Sequence, residues 1–277
     1  MPILRLSLLL TLTMAAFAAN SLLNRAALVD VGMGPASFAA VRLFSGAVVL
    51  AALVAWRGGG WGRPNWMQAV SLAVYALGFS FASVALDAGL GALLLFGGVQ
   101  VTMFAGSAVL GEAIPMRRWL GAVIAFLGLV WLLWPQGASA PAVGPSILML
   151  AAALGWGVYS LIGRGVPDPL GATAWAFLLA APFGGLAFAV LPDAITVSGV
   201  ALACVSGGIT SALGYALWYH LLPSLGAARA AIAQLTVPLI AIAGGVLLLG
   251  ELVTLRMVVA GVLVIAGVWL GLSTSKR

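Results

Sequence analysis

Charge is what this sequence has least of. Only 6% of its 277 residues are Asp, Glu, Lys or Arg, against about 25% in an ordinary soluble domain. With so little polar surface a water-soluble globule could not be covered, so the solvent for most of the chain is lipid. Cys204 is the single cysteine and His220 the single histidine, which excludes an intramolecular disulfide and leaves no His–Cys metal cluster. No Gly-rich phosphate loop of the Walker type is present, and no stretch is polar enough for a soluble ATPase domain. No cofactor and no metal are therefore expected. The net charge is +6, yet the cations stand at the ends of apolar runs and form no patch, which argues for membrane topology signals and against a nucleic-acid partner.

What the chain has in quantity is apolar residues, 64% of the total. They lie in long runs without the period-two alternation of a transmembrane barrel. At roughly 27 residues per span and loop, the length corresponds to about ten crossings. Turn residues and charges place the spans near 5–27, 35–56, 65–86, 89–110, 115–134, 145–164, 170–191, 198–222, 227–249 and 254–273. The N-terminal run, with Arg5, Leu6–Leu12 and Ala15–Ala19, has the look of a signal peptide. It is read as the first transmembrane helix, because Ser21, Leu22 and Arg25 recur as Ser160, Leu161 and Arg164.

That recurrence extends along the chain. At an offset of 139 residues Gly111, Glu112, Arg117 and Gly128 match Gly250, Glu251, Arg256 and Gly267. Two halves follow, 1–137 and 138–277, each of five spans. Five is odd, so the second half enters the membrane from the opposite face. With the N-terminus inside, nine of the twelve cations fall in cytoplasmic segments, two (Arg25 and Arg256) outside, and Arg42 within a span, a positive-inside bias. The expected fold is an all-α membrane protein of ten transmembrane helices arranged as two inverted five-helix repeats, an architecture typical of secondary transporters.

Polar and aromatic residues inside spans are costly unless they have a partner or line water. Phe17, Asn20, Ser21 and Asn24 share one face of the first span, and Trp156, Tyr159, Ser160 and Gly163 share the matching face of the sixth. Tyr75 and Phe79 on the third span correspond to Tyr215, Trp218 and Tyr219 on the eighth. Faces that mix rings with amides and hydroxyls suit an amphipathic organic solute; the alternative is ordinary helix packing. Arg42 has no counterpart near Leu179. Its guanidinium is placed to attract a substrate carboxylate, or else it bonds helix carbonyls or snorkels outward. Gln100 either lines the path or bonds between helices. His220 is a candidate for proton sensing, though its place near a span end also suits a plain hydrogen bond. Asp87, Glu112, Asp168, Asp193 and Glu251 fall at span ends, so no embedded carboxylate suggests a proton or sodium relay. Glu112 and Glu251 are read as dipole-offsetting residues paired with Arg117 and Arg256. Gly267 and Gly271 either pack within the chain or form a dimer face.

Two five-span halves with Gly-Glu before the last helix of each, and the stretch Phe38–Phe44 with Arg42 inside the second span, resemble the EamA-type transporters of the drug/metabolite transporter superfamily. Within it, the similarity around Asn20–Leu28 and Gly32–Leu43 is to the YddG-type aromatic amino-acid exporters. The resemblance implies alternating access in a multi-pass protein of the bacterial inner membrane with both termini cytoplasmic. The fifth and tenth spans would be peripheral, and the solute an aromatic or other large neutral amino acid. A monomer or weak homodimer in the lipid bilayer is expected. The rivals are a drug or nucleotide-sugar carrier of the same superfamily, a channel, and an intramembrane enzyme. A channel is opposed by the absence of a repeated pore loop, and an enzyme by the absence of a Ser-His, Asp-Asp or His-rich set at depth.

Overall fold

The computed structural model describes residues 3–58, 60–109, 116–134, 141–234 and 236–272. Gly111, Glu112, the Pro135–Gly137 break, Lys276 and Arg277 lie outside them. Among the described residues every regular element is helical. The helices are α1 (Ile3–Arg25), α2 (Pro35–Arg57), α3 (Trp66–Ala82), α4 (Ala88–Val109), α5 (Met116–Leu133), α6 (Val143–Gly163), α7 (Pro169–Val190), α8 (Val197–Cys204), α9 (Gly214–Gln234), α10 (Thr236–Leu249) and α11 (Leu255–Leu272). Two π-helical segments interrupt them, Ala26–Asp30 after α1 and Val205–Leu213 between α8 and α9. Six of the resulting helical runs are long and apolar enough to cross a membrane, and four shorter helices are also apolar.

Local chemistry explains most of the boundaries. Pro35 and Pro169 open α2 and α7, where the missing N–H costs nothing. Asn65 caps α3 through the Gln68 N–H at 3.1 Å, and Thr196 caps α8 through Gly199 at 3.2 Å. Gly58 ends α2 at φ +68°, a conformation that favours glycine. Asp193 accepts from the backbone of Ala36 at 2.7 Å and of Ser37 at 3.0 Å, and from the Ser37 hydroxyl. It therefore ties the end of α7 to the start of α2.

Three expectations change. The third span is shorter than 65–86: α3 stops at Ala82, and Arg25 Nη1 donates to the freed carbonyls of Ser83 at 3.0 Å and Val84 at 2.8 Å. The break expected at 223–226 leaves the helical backbone intact, since α9 runs through Pro223 to Gln234. Proline keeps a helical φ and forfeits a single N–H bond. Pro238, which stands in the ninth span where the fourth has Val99 and would let the two helices bend differently, sits in the first turn of α10, where it is tolerated.

A further correction concerns Glu251. Its carboxylate accepts from the Ala88 N–H at 2.6 Å and the Gly89 N–H at 3.3 Å, capping α4. Its ion-pair partner is Arg25 at 3.7 Å, which also holds Asp87 at 3.1 Å. One arginine thus joins α1, the α3–α4 turn and the loop before α11. Glu251→Ala is expected to cost about 1–2 kcal/mol, the usual worth of a charged cap. The check is a melting temperature in detergent a few degrees below the parent; an unchanged value would mean that the cap carries no stability.

At the opposite end of the bundle Arg57 pairs with Asp168 at 2.7 Å. The Arg57 hydrogen bond holds the Asp168 carboxyl below its ordinary value. The pair is therefore intact throughout the neutral range and is lost only as pH falls through that depressed value.

The polarity of the bundle is inverted relative to a soluble protein. Leu8, Phe44, Ile147, Leu186, Leu247 and Val262 are exposed, while Asn20, Asn24, Arg42, Gln68, Ser160 and Gln234 are buried. That distribution suits lipid outside and polar contacts within. Helices α5 and α11 pack chiefly on one another. A Cβ on Gly267 would meet Gly121 O at 2.5 Å and Ala125 N at 2.6 Å, and one on Gly128 would meet Leu263 at 2.9 Å. Gly267 is thus used for packing inside the chain. Helix α3 packs on α6, α2 on α7, α4 on α10, and α1 on α9 and α10, around a centre rich in rings.

Candidate functional site

The four faces read from helical spacing converge there. Phe17, Asn20, Ser21 and Asn24 are buried on α1, Tyr75 and Phe79 on α3, Trp156, Tyr159 and Ser160 on α6, and Tyr215, Trp218 and Tyr219 on α9. Trp156 is the hub. Its ring centroid lies 4.5 Å from Tyr215, 5.1 Å from Tyr75, 5.4 Å from Tyr159 and 5.5 Å from Phe17. Phe17 reaches Tyr215 and Trp218, both at 5.7 Å, Tyr159 stacks on Tyr219 at 5.1 Å, and Tyr75 stacks on Phe79 at 5.7 Å. Residues 139 and 140 positions apart in the chain touch: Phe17 meets Trp156, and the hydroxyls of Tyr75 and Tyr215 are 3.0 Å apart. Where α1 carries Asn24, α6 carries Gly163, and a Cβ there would strike the Tyr219 ring.

Arg42 lies against this cluster and is 1% exposed. It does not snorkel. Its Nε donates to Ser211 Oγ at 3.0 Å, and its Nη2 donates to the hydroxyls of Tyr75 at 3.0 Å and Tyr215 at 2.8 Å. The guanidinium stands 5.2 Å from the Tyr75 centroid and 5.5 Å from that of Phe79, within cation–π range. Its Nη1 has no protein partner among the described residues, and no carboxylate there pairs with it.

The π-helical segment contributes the remaining polar contacts. Wider turns bring Ser206, Thr210 and Ser211 to one point, and all three hydroxyls donate to Asn20 Oδ1, at 2.9, 2.5 and 3.1 Å. Ser211 Oγ accepts from Arg42, so its own proton goes to Asn20. That fixes the amide oxygen toward the π segment and leaves Asn20 Nδ2 without a protein partner among the described residues. π segments inside α-helices are frequent at functional sites. No sequence period announces one; the available signal was Ser206 and Thr210, four residues apart in an apolar run.

Phe17, Asn20, Ser21, Tyr75, Phe79, Trp156 and Tyr215 enclose a cavity together with Leu95 and Phe96 of α4. It has room for about one water, whereas a ligand pocket takes about 300–1,000 Å³. The conformation is therefore closed around its centre. Leu95 and Phe96 were not legible as lining residues, since they look like any other part of an apolar helix. Tyr159, Trp218 and Tyr219 belong to the ring cluster behind the cavity. Tyr219 donates to the Tyr159 carbonyl at 2.8 Å and accepts from Gln68 at 3.0 Å. Ser160 is buried nearby, with no partner for its hydroxyl among the described residues. Asn24 points to the end of α3, where it donates to Ser83 Oγ at 3.4 Å. Gln100 is half-buried on α4 and does not line the cavity. His220 is exposed, because the residue after Trp218 and Tyr219 is turned to the opposite side of α9, and the structure does not bring it to the site.

The sequence pattern of the EamA-like transporter family matches residues 145–273. An uncharacterized protein of Pseudomonas aeruginosa is 46% identical over 97% of this chain and 94% of its own length. An uncharacterized transporter of Archaeoglobus fulgidus is 26% identical over 98% of this chain and 97% of its own. A probable amino-acid metabolite efflux pump of Salmonella typhimurium is 24% identical over 73% of each. A solved crystal structure covers 94% of this chain and 96% of that one with a TM-score of 0.64 at 18% identity, a likeness of fold alone. On the full-length relationship at 46% identity and the family pattern across the second half, this chain belongs to the EamA-like transporter family.

Proposed function

We propose that this transporter exports aromatic and other large neutral amino acids across the bacterial inner membrane, with the YddG-type exporters as its functional relatives. The two halves, 1–137 and 138–277, would act as inverted five-helix repeats that rock about the ring cluster and expose it alternately to either face. Contacts between equivalent residues (Phe17 with Trp156, Tyr75 with Tyr215) and the pairings of α2 with α7 and α5 with α11 support that symmetry. The cytoplasmic placement of both termini rests on the distribution of cations. The observation that carries the reading is Arg42, a buried cation with no protein carboxylate among the described residues, beside a ring-lined cavity. A solute carboxylate would complete its pairing, and a flat side chain would take the place of water among the rings. Asp87, Asp168, Asp193 and Glu251 all bond at helix ends, which favours facilitated or exchange transport.

Counterflow in proteoliposomes, with labelled phenylalanine, tryptophan, threonine, a nucleoside and a cationic dye, tests the reading with and without a pH gradient. Saturable exchange of the two aromatic amino acids is expected, with the dye excluded by Arg42. Saturable movement of the dye alone would overturn it in favour of a drug carrier.

A further inference from the structure

The donors and acceptors around the cavity are unequal in number. Tyr75 and Tyr215 have two hydroxyl protons between them, and one is used in the bond that joins them. Both oxygens also accept from Arg42, so the remaining phenolic proton is left to donate. Asn20 Nδ2, itself on a residue 2% exposed, adds two more N–H donors without a protein partner among the described residues, and Arg42 Nη1, on the guanidinium that bonds the phenols, adds another pair. On the acceptor side Asn20 Oδ1 is occupied by three hydroxyls. The one lining oxygen with no partner among the described residues is Ser21 Oγ. Every other lining side chain is hydrocarbon or ring, apart from the Trp156 N–H, which donates to Gln234 at 3.4 Å.

A carboxylate takes hydrogen bonds and gives none, so it matches this surplus of donors. An α-ammonium brings three N–H donors to a lining with one free acceptor, and it does so beside a guanidinium of like charge. Two of the lining rings, Tyr75 and Phe79, already face Arg42, which stands as a like charge beside any ammonium held by cation–π contact on the others. A monoanion neutralises Arg42 and leaves the occluded complex uncharged, whereas a zwitterion leaves it with the net positive charge it had when empty. In a membrane interior the first is the cheaper state.

From this imbalance we propose that the site reads the carboxylate and the ring but not the α-ammonium, so that aromatic monocarboxylates lacking a free amino group are substrates comparable to the parent amino acids. The proposal rests on the carrier reading of the same cavity. N-acylated and deaminated aromatic acids are the chemical class it adds. Reactions that acylate or deaminate aromatic amino acids inside the cell would supply them.

The test uses the full-length protein in liposomes at pH 7.5, with protein-free liposomes subtracted for passive diffusion. Counterflow is measured for labelled L-phenylalanine, N-acetyl-L-phenylalanine, 3-phenylpropionate and L-phenylalanine amide. The expected result is that both acids exchange saturably with a KM no more than about three-fold above that of phenylalanine, the difference that one weak hydrogen bond makes, and that the amide does not exchange. Phenylalanine exchange with either acid excluded, or with a KM further above it, overturns the proposal and leaves the amino-acid carrier standing. Absence of saturable exchange for phenylalanine and both acids overturns the carrier reading as well. Exchange of the amide alongside phenylalanine overturns the role of the carboxylate.

Discussion

Arg42→Gln is expected to lower transport at least about 100-fold in kcat/KM, the loss that follows from removing one partner of a buried charged pair, while leaving the folded carrier intact. The argument has two halves. Arg42 supplies the only positive charge at the ring cluster among the described residues, and it polarises the Tyr75 and Tyr215 hydroxyls that face the cavity. Gln provides neither effect, so a carboxylate loses both the charge and the aligned phenols. On the stability side, an embedded cation without a carboxylate is a cost to the fold. Neutral Gln relieves it, and the phenols retain their bond to each other. The melting temperature in detergent should therefore be unchanged or higher as transport disappears. Arg42→Lys separates charge from geometry, because an ammonium cannot span Ser211 and both phenols as the guanidinium fork does. It should retain a small fraction of activity. Counterflow of labelled phenylalanine, with melting followed on the same preparations, decides the matter; full transport by Arg42→Gln would remove the basis of the proposed function.

Gly155→Val should have the next largest effect. A Cβ at Gly155 would lie 2.6 Å from Ser71 O and 2.8 Å from Tyr75 N. Both are backbone atoms of α3 that cannot swing aside, so α3 and α6 must part by about 1 Å to restore ordinary contact distances. Overpacking of this kind costs about 1–3 kcal/mol. The displaced atom belongs to the residue whose hydroxyl meets Arg42, so KM should rise along with the loss of stability. Gly267→Val is the matched control. Its Cβ would strike α5 backbone just as closely, but at the α5–α11 contact, away from the cavity. It should lower the melting temperature by a similar amount and leave the KM of the surviving carrier unaltered. Equal KM values in the two variants would disprove the coupling between the α3–α6 contact and the site.

The sequence made the ring-bearing faces legible because helical periodicity is a local property. Residues three and four apart share a side of the helix whatever surrounds it, so Phe17 and Asn20, or Tyr215 and Tyr219, had to point together. The repeat then indicated which faces belong together, and Trp156 meets both Phe17 and Tyr75 accordingly. Contacts that depend on the third dimension were beyond that reach. Glu251 reads in the sequence as a residue of its own helix start near Arg256; that it caps α4 and pairs with Arg25, residues more than 160 positions away in the chain, follows from packing alone. A uniform α-helix would not gather Ser206, Thr210 and Ser211 on one amide, so their contact with Asn20 is invisible to helical spacing. His220 was included for its chemistry, although the same periodicity that buries Tyr219 turns the next side chain outward.

Composition and periodicity by themselves determined that this chain is helical, is built for lipid and carries rings and amides on a few inward faces. Those properties follow from the cost of leaving backbone and charge unsatisfied in hydrocarbon, which acts on every residue locally. Only the tertiary structure decided what surrounds Arg42. Whether a buried guanidinium is a structural clamp, a snorkelling end or a binding charge depends on the groups that happen to surround it. Here they are three hydroxyls and two rings, with no carboxylate among the described residues. Those groups come from α3, the π segment and α9, and only packing brings them within reach of a side chain on α2.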